Sequence, residues 1–273
     1  MMRGLWRNDG RHWASAAMAV ALIAGVAVWA NEDAATPVQA KAPAPVQAEA
    51  TVPGLIGPPA LARLSGAHAK TPPVTTTLAT VRFTAPRYAA PGVNESGQVP
   101  ATWWGVPSVL PVVTVKPGWV KVRLAQRPNG STAWLPASDV RLSSTDYRIV
   151  INLKNMRLTL FDGAKKLMSA PAGIGTADDP TPPGGYFIAF TEGPPQPNPG
   201  YGPFIIVTSA HSPAITDWEG SGDAVIGIHG PLGEDSQIGT TGARISHGCI
   251  RLHDAALEKL SSLPPGTPIE IVR

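Results

Sequence analysis

The chain has 273 residues, of which only 15% are charged, and its net charge of +3 offers no cationic surface of the kind a nucleic-acid partner demands. Thirty prolines and 28 glycines argue for linkers and short strands over long helices. Beyond the first thirty residues about 243 remain, enough for two small domains.

Arg3, Arg7 and Arg11 precede an uncharged apolar run from Ala14 to Val28. A basic stretch followed by an apolar core is an export signal, so residues 1–30 are read as a signal peptide or a membrane anchor. Val28-Trp29-Ala30 suits cleavage, while the length of the run approaches the roughly 17–25 residues that span a bilayer. Both readings stand, and in both this segment alone contacts the membrane. The rest of the chain is expected outside the cytoplasm, in the cell envelope or wall, secreted or anchored. Residues 31–75 hold no aromatic side chain and many prolines among Ala, Val, Thr and Gln. They are expected to form a disordered, semi-extended Pro/Ala-rich linker.

From Leu78 onward the pattern becomes β. Trp119 to Leu124 alternates, with Val120, Val122 and Leu124 on one face. Asn129-Gly130 is a hairpin-turn signal, followed by the short strand Ala133-Trp134-Leu135-Pro136. Residues 76–145 resemble a bacterial SH3-like β-barrel, on the run from Gly118-Trp119 through Gly130 to Trp134-Leu135-Pro136. That resemblance implies wall or peptide binding; the plainer reading makes the tryptophans a core and the barrel a brace.

A second β pattern runs from Tyr147. Arg148–Leu153 leads to Met156–Phe161, and Asp162-Gly163 turns the chain toward Lys166-Leu167-Met168. Thr181-Pro182-Pro183-Gly184-Gly185 precedes the strand Tyr186-Phe187-Ile188. The Pro- and Gly-rich loop from Glu192 to Pro203, with Tyr201 near its end, is a candidate lid. Ile205–Thr208 and Val225–Ile228 are strands, the second delivering His229. Asp254 is expected to cap a helix from Ala255 to about Leu263, and Pro268–Val272 is a last strand.

Chemistry concentrates in Ser246-His247-Gly248-Cys249-Ile250-Arg251, which contains the chain's one cysteine. An unpaired cysteine in an exported protein points to an intermolecular bond or a reactive thiol, against the plain alternative of a small buried hydrophobe. His247, Arg251 and His229 are candidate charges to favour the thiolate. Gly248 removes a side chain where a substrate carbonyl must approach.

These residues resemble the L,D-transpeptidase catalytic domain, also called the YkuD domain. The resemblance covers residues 146–273 and rests on His229-Gly230, sixteen intervening residues, and the Ser246–Arg251 stretch. It implies a mainly β fold with a short helix, acting on the stem peptides of peptidoglycan. By resemblance Cys249 is the nucleophile and His229 the general base. Gly248 and Cys249 backbone N–H groups, with His247, form the oxyanion hole. Gly230, Ser246, Arg251 and Tyr201 are the expected substrate-side residues; the Gly230 carbonyl fixes the His229 tautomer, and Arg251 anchors the loop or meets a carboxylate. The implied reaction forms 3→3 cross-links through a cysteine thioester, in cell-wall biogenesis and cell shape. Carbapenem acylation of Cys249 is implied as well, with no metal and no cofactor.

Other readings are an L,D-carboxypeptidase, a transferase attaching a protein to peptidoglycan, and a non-catalytic wall-binding module. A zinc site from His211, His229, His247, Cys249 and His253 lacks the usual ligand spacing. His211 is expected at the surface or in a loop, and Asp217, Trp218 and Glu219 receive no role.

Overall fold

A computed structural model describes residues 75–103, 105–194, 198–218 and 220–273. The export segment and all of the linker except Thr75 lie outside these residues. Among the described residues no helix is long and apolar enough to cross a membrane.

The first half is an antiparallel β structure. Its strands are β1 (Thr76–Val81), β2 (Ala85–Ala90), β3 (Val93–Val99), the two-residue pair β4 (Thr102–Trp103) and β5 (Val106–Pro107), β6 (Val109–Lys116), β7 (Trp119–Arg123), β8 (Thr132–Pro136) and β9 (Val140–Thr145). Seven of them hydrogen-bond in the order β3-β2-β8-β7-β6-β1-β9. The alternation read in the sequence holds: Val120, Val122 and Leu124 are buried, with half-buried residues between them. Trp134 joins the buried side chains, whereas Trp119 is half-buried against the edge of Tyr88.

Asn129-Gly130 is not a two-residue hairpin turn. β7 ends at Arg123 and β8 begins at Thr132, so a longer arm separates them. Gly130 does take a positive φ of 83°, but the Asn129 side chain is spent elsewhere. Its amide donates to His211 O at 2.8 Å and accepts from His211 N at 2.9 Å. Long-range bonding has overridden the local turn preference.

The second half has ten strands: β10 (Tyr147–Asn152), β11 (Arg157–Asp162), β12 (Lys165–Pro171), β13 (Gly173–Gly175), β14 (Gly184–Glu192), β15 (Ile205–His211), β16 (Val225–His229), β17 (Ala243–Ser246), β18 (Ile250–Arg251) and β19 (Pro268–Val272). Their order is β12-β11-β10-β19-β14-β15-β16-β18-β13-β17. Most neighbours are antiparallel; β10–β19, β13–β17 and β16–β18 are parallel. The fold is mainly β, as read. Its helices are single turns, α1 (Asp235–Ile238) and α2 (Asp254–Leu257). The expected helix to Leu263 stops early, continuing only as a 3-10 turn, Glu258–Leu260. Asp254 is its first residue and His253 its cap, without a side-chain capping bond. Leu257 and Leu260 nonetheless point inward, as the helical spacing requires.

The two halves share interior. Phe187 belongs to β14 of the second sheet but is fully buried in the core of the first, among Ala79, Leu110, Val122 and Leu135. Its neighbours Tyr186 and Ile188 point the other way, into the second core, as strand alternation dictates. Beside it, a Cβ built on Gly266 would stand 2.8 Å from Val109 Cγ1, so these surfaces meet at backbone distance.

Phe187→Ala is expected to cost about 3–5 kcal/mol, the usual range for emptying a buried aromatic site. Urea denaturation followed by tryptophan fluorescence and by far-UV circular dichroism checks it. Both signals should shift together; an unshifted tryptophan signal would mean the first sheet does not depend on this side chain.

Candidate active site

The parallel pairing of β16 with β18 builds the site. Ile228 lies opposite Ile250 and His229 opposite Arg251, which puts Gly227 at the level of Cys249. Alternation along β16 sends Ile226 and Ile228 into the apolar core and leaves Gly227 and His229 on the other face. Gly227 N–H donates to Cys249 Sγ at 3.4 Å. A Cβ built on Gly227 would lie 3.7 Å from Cδ2 of the His229 ring. Thiol and imidazole therefore flank one bare glycine.

His229 is 3% exposed, and its Nδ1 lies 2.8 Å from Gly230 O. A carbonyl oxygen only accepts, so Nδ1 carries the proton and Nε2 keeps its lone pair. Burial pushes the imidazole down to about 4; the Gly230 carbonyl opposes this and Arg251 adds to it. Cys249 is partly exposed, yet the protein around it desolvates the thiol and pushes it up. Gly227 N–H and Arg251 pull in the opposite direction without prevailing. Near neutral pH the pair rests as thiol and neutral imidazole. The expectation of a thiolate favoured by neighbouring charges is corrected: burial outweighs the one cation that acts on the sulfur.

Two hydroxyls shape the turn that carries Cys249. Ser246 Oγ donates to Cys249 O at 2.5 Å and accepts from Gly248 N at 3.1 Å. Thr181 Oγ1 donates to Gly248 O at 2.7 Å and accepts from Gly175 N at 2.8 Å. Ser246 is 1% exposed, so it braces the turn and does not face substrate. The Gly248 N–H is already engaged by Ser246, which removes it from the expected oxyanion hole. Gly248 is needed for other reasons: its φ is +114°, and an added Cβ would stand 2.8 Å from Ile226 Cδ1. The missing side chain makes room for the core, not for a substrate carbonyl. Thr181 was read only as part of a turn; its spacing to Gly248 is long-range and left no local signal.

Gly230 is closely covered. Its N–H donates to Tyr201 O at 2.7 Å, and a Cβ there would stand 2.6 Å from Gly202 N. This seats the 3-10 turn Pro199–Tyr201 over the end of β16, with the Tyr201 and His229 ring centroids 4.9 Å apart. Arg251 Nη1 lies 3.0 Å from Glu234 Oε2, and the side chain is 11% exposed. His247 points outward from the same turn. It is exposed, 3.7 Å from Asp179 Oδ2, and its ring centroid is 5.3 Å from that of Trp218.

His211 is not at the surface. It ends β15, is 5% exposed, and its Nδ1 lies 2.7 Å from Asp223 Oδ2. Burial lowers its basicity; Asp223 opposes this. Among the described residues no three His, Cys, Asp or Glu side chains are grouped to hold a metal ion.

Residues 146–271 match the YkuD family, the L,D-transpeptidase catalytic domain. A Bacillus licheniformis protein assigned by name to the L,D-transpeptidases, YkuD, is 32% identical over 126 residues, 46% of this chain and 65% of that protein. The chain thus spans just under two thirds of that relative's length. Among solved structures, an L,D-transpeptidase from Mycobacterium smegmatis aligns at TM-score 0.36 and 20% identity, over 59% of this chain and 80% of its own. L,D-transpeptidase 3 from Mycobacterium tuberculosis, solved with a faropenem-derived adduct, aligns at TM-score 0.38 and 14% identity, over 57% and 91%. Both scores are low.

The neutral His229 makes stability depend on pH. Above about 6.5 neither the folded nor the unfolded chain protonates it, and the group is silent. Between about 6.5 and 4 the unfolded chain binds a proton that the folded one refuses, and stability falls by on the order of 3 kcal/mol. His211 shifts in the same direction and steepens the fall. Urea midpoints at pH 7 and pH 4.5 should separate in the wild type and converge partly in His229→Gln; an identical separation in the variant would refute the buried neutral imidazole.

Proposed function

We propose that the YkuD L,D-transpeptidase catalytic domain carried by residues 146–271 acts as a cysteine acyltransferase on peptidoglycan stem peptides, forming 3→3 cross-links. The single observation behind this is the β16–β18 pairing, which gathers Cys249 and His229 around Gly227.

The resting pair is neutral, so the proton must move as the bond forms. Cys249 Sγ attacks the carbonyl carbon of the third stem residue while its proton passes to the free Nε2 of His229. The carbonyl oxygen gains the charge; Cys249 N–H and His247 are the donors proposed for it, each such donor being worth about 10²–10³ in rate. The tetrahedral centre collapses, the terminal D-alanine amine leaves with the proton from His229, and a thioester remains. A side-chain amine of a second stem then attacks the thioester, returns a proton through His229 to sulfur, and completes the cross-link. Gly230 keeps Nδ1 protonated throughout, so only Nε2 cycles. Tyr201 is proposed to line the substrate path beside the imidazole. The thiol and the imidazole account for every proton and acyl transfer, without a metal or cofactor.

Water in place of the second amine gives an L,D-carboxypeptidase, and a protein amine gives attachment of that protein to the wall. We place the reaction outside the cytoplasm, in the cell envelope, with the N-terminal segment as signal or anchor and residues 76–145 as an SH3-like brace. A non-catalytic wall-binding module would need neither Cys249 nor the bound tautomer of His229.

Purified protein incubated with tetrapeptide-bearing muropeptides should yield dimers shorter by one D-alanine, read by mass spectrometry. Tripeptide monomers alone would mean hydrolysis. Cys249→Ala should abolish both products, and His229→Ala should slow them by about 10²–10⁴. Cross-linking by Cys249→Ala would overturn the reading. Incubation with a carbapenem should add one intact mass to the wild type and none to Cys249→Ala.

A further inference from the structure

Between β15 and β16 lies a thirteen-residue connection, Ser212 to Ala224, with no regular secondary structure among its described residues. Loops of this length in compact domains are uncommon and usually functional. This one carries Trp218, whose ring meets that of His247, two residues from Cys249.

The loop is fastened at both ends from the first sheet. Arg127 stands in the arm between β7 and β8. Its Nε donates to Asp223 Oδ1 at 2.7 Å, Nη1 to Ser212 O at 2.8 Å, and Nη2 to Ile215 O at 2.9 Å. One planar guanidinium thus ties Ser212 and Ile215, near the start of the connection, to Asp223, its penultimate residue. Inside the loop, Trp218 N–H donates to Asp223 O at 3.0 Å, and Ser221 Oγ to Asp223 O at 2.6 Å. Asp223 Oδ1 also accepts from Ala224 N at 2.7 Å. Burial would raise the Asp223 carboxyl, but the bonds from Arg127 and Ala224, with His211, hold it below the usual carboxylate range. The carboxylate is therefore ionised and able to anchor the fork. Asn129, two residues on, bonds the backbone of His211 in both directions.

We infer that Arg127 is a positioning residue for the acyl transfer: through Asp223 and the 212–224 loop it sets Trp218 against His247 as one wall of the substrate path. This rests on the transferase reading above. A lysine cannot replace it, because one ammonium does not span three acceptors in fixed directions.

The test compares wild type, Arg127→Ala, Arg127→Lys, Trp218→Ala and the Arg127→Ala/Trp218→Ala double variant on tetrapeptide muropeptides. Arg127→Ala should raise KM about tenfold with kcat within about twofold, the signature of lost binding without lost chemistry. Trp218→Ala should do the same, and the double variant should be no worse than Trp218→Ala, because both act through one contact. The rate of Cys249 alkylation by iodoacetamide should not change. Amide exchange at Trp218 and Ala224 should quicken in Arg127→Ala and, to a lesser degree, in Arg127→Lys. Independent, multiplying losses of Arg127 and Trp218 would overturn the inference, as would unchanged KM and exchange in Arg127→Ala. If Arg127→Ala does not fold, Arg127→Lys and Asp223→Asn decide by the same readouts. If the wild type turns over no muropeptide, the transferase reading fails, while exchange still decides whether Arg127 fastens the loop.

Discussion

A parallel ladder of two residue pairs holds the candidate active site together. Ile228 with Ile250 and His229 with Arg251 is a short contact for so much chemistry. It persists because Ile226, Ile228, Ile250 and Leu252 are buried beneath it, and because Leu252 N–H extends it by donating to His229 O at 2.9 Å. Slipping the pairing by one residue would turn Cys249 toward the core and its isoleucine neighbour toward the open face. Register here therefore decides which side chains share the open face of the sheet, and the apolar residues beneath it fix that choice.

Around that ladder the sequence spends its small and polar residues on scaffolding. Gly230 lets Tyr201 and Gly202 close over β16, and Gly248 yields space to Ile226. Ser246 and Thr181 consume the backbone groups of the turn that presents the thiol. Arg251 is drawn to Glu234, on the segment leading away from His229. The side chains around Gly227 are thus few, and most of what looks functional beside them is support.

The strands were legible because alternation and turn chemistry are local: Val120, Val122 and Leu124 face inward as their spacing requires, and Asp162-Gly163 turns between β11 and β12. Cys249 and His229 could be singled out because a lone cysteine after His247-Gly248, with a second His-Gly step at His229-Gly230, is rare enough to notice. Other features were not legible, two for a long-range reason and two for a local one. Asn129 looked like a turn residue but bonds a strand 82 positions away. His211 looked peripheral because nothing local says that Asp223 and the Arg127 arm will cover it. Gly248 looked like a donor to substrate until Ser246, two residues away, proved to occupy its N–H. The helix at Asp254 was read too long, since Pro264-Pro265-Gly266 marks where a helix must stop but not that it will tighten sooner.

The raised thiol has a consequence for oxidation. Oxidants, like disulfides, attack sulfur mainly in its deprotonated form. A sulfhydryl kept protonated by its surroundings resists sulfenic acid formation and mixed disulfides while idle. Its one available base, the Nε2 of a desolvated ring, is weak until an arriving carbonyl offers the electrons somewhere to go. The chain can thus carry a solitary cysteine without a resolving partner and still keep it reduced.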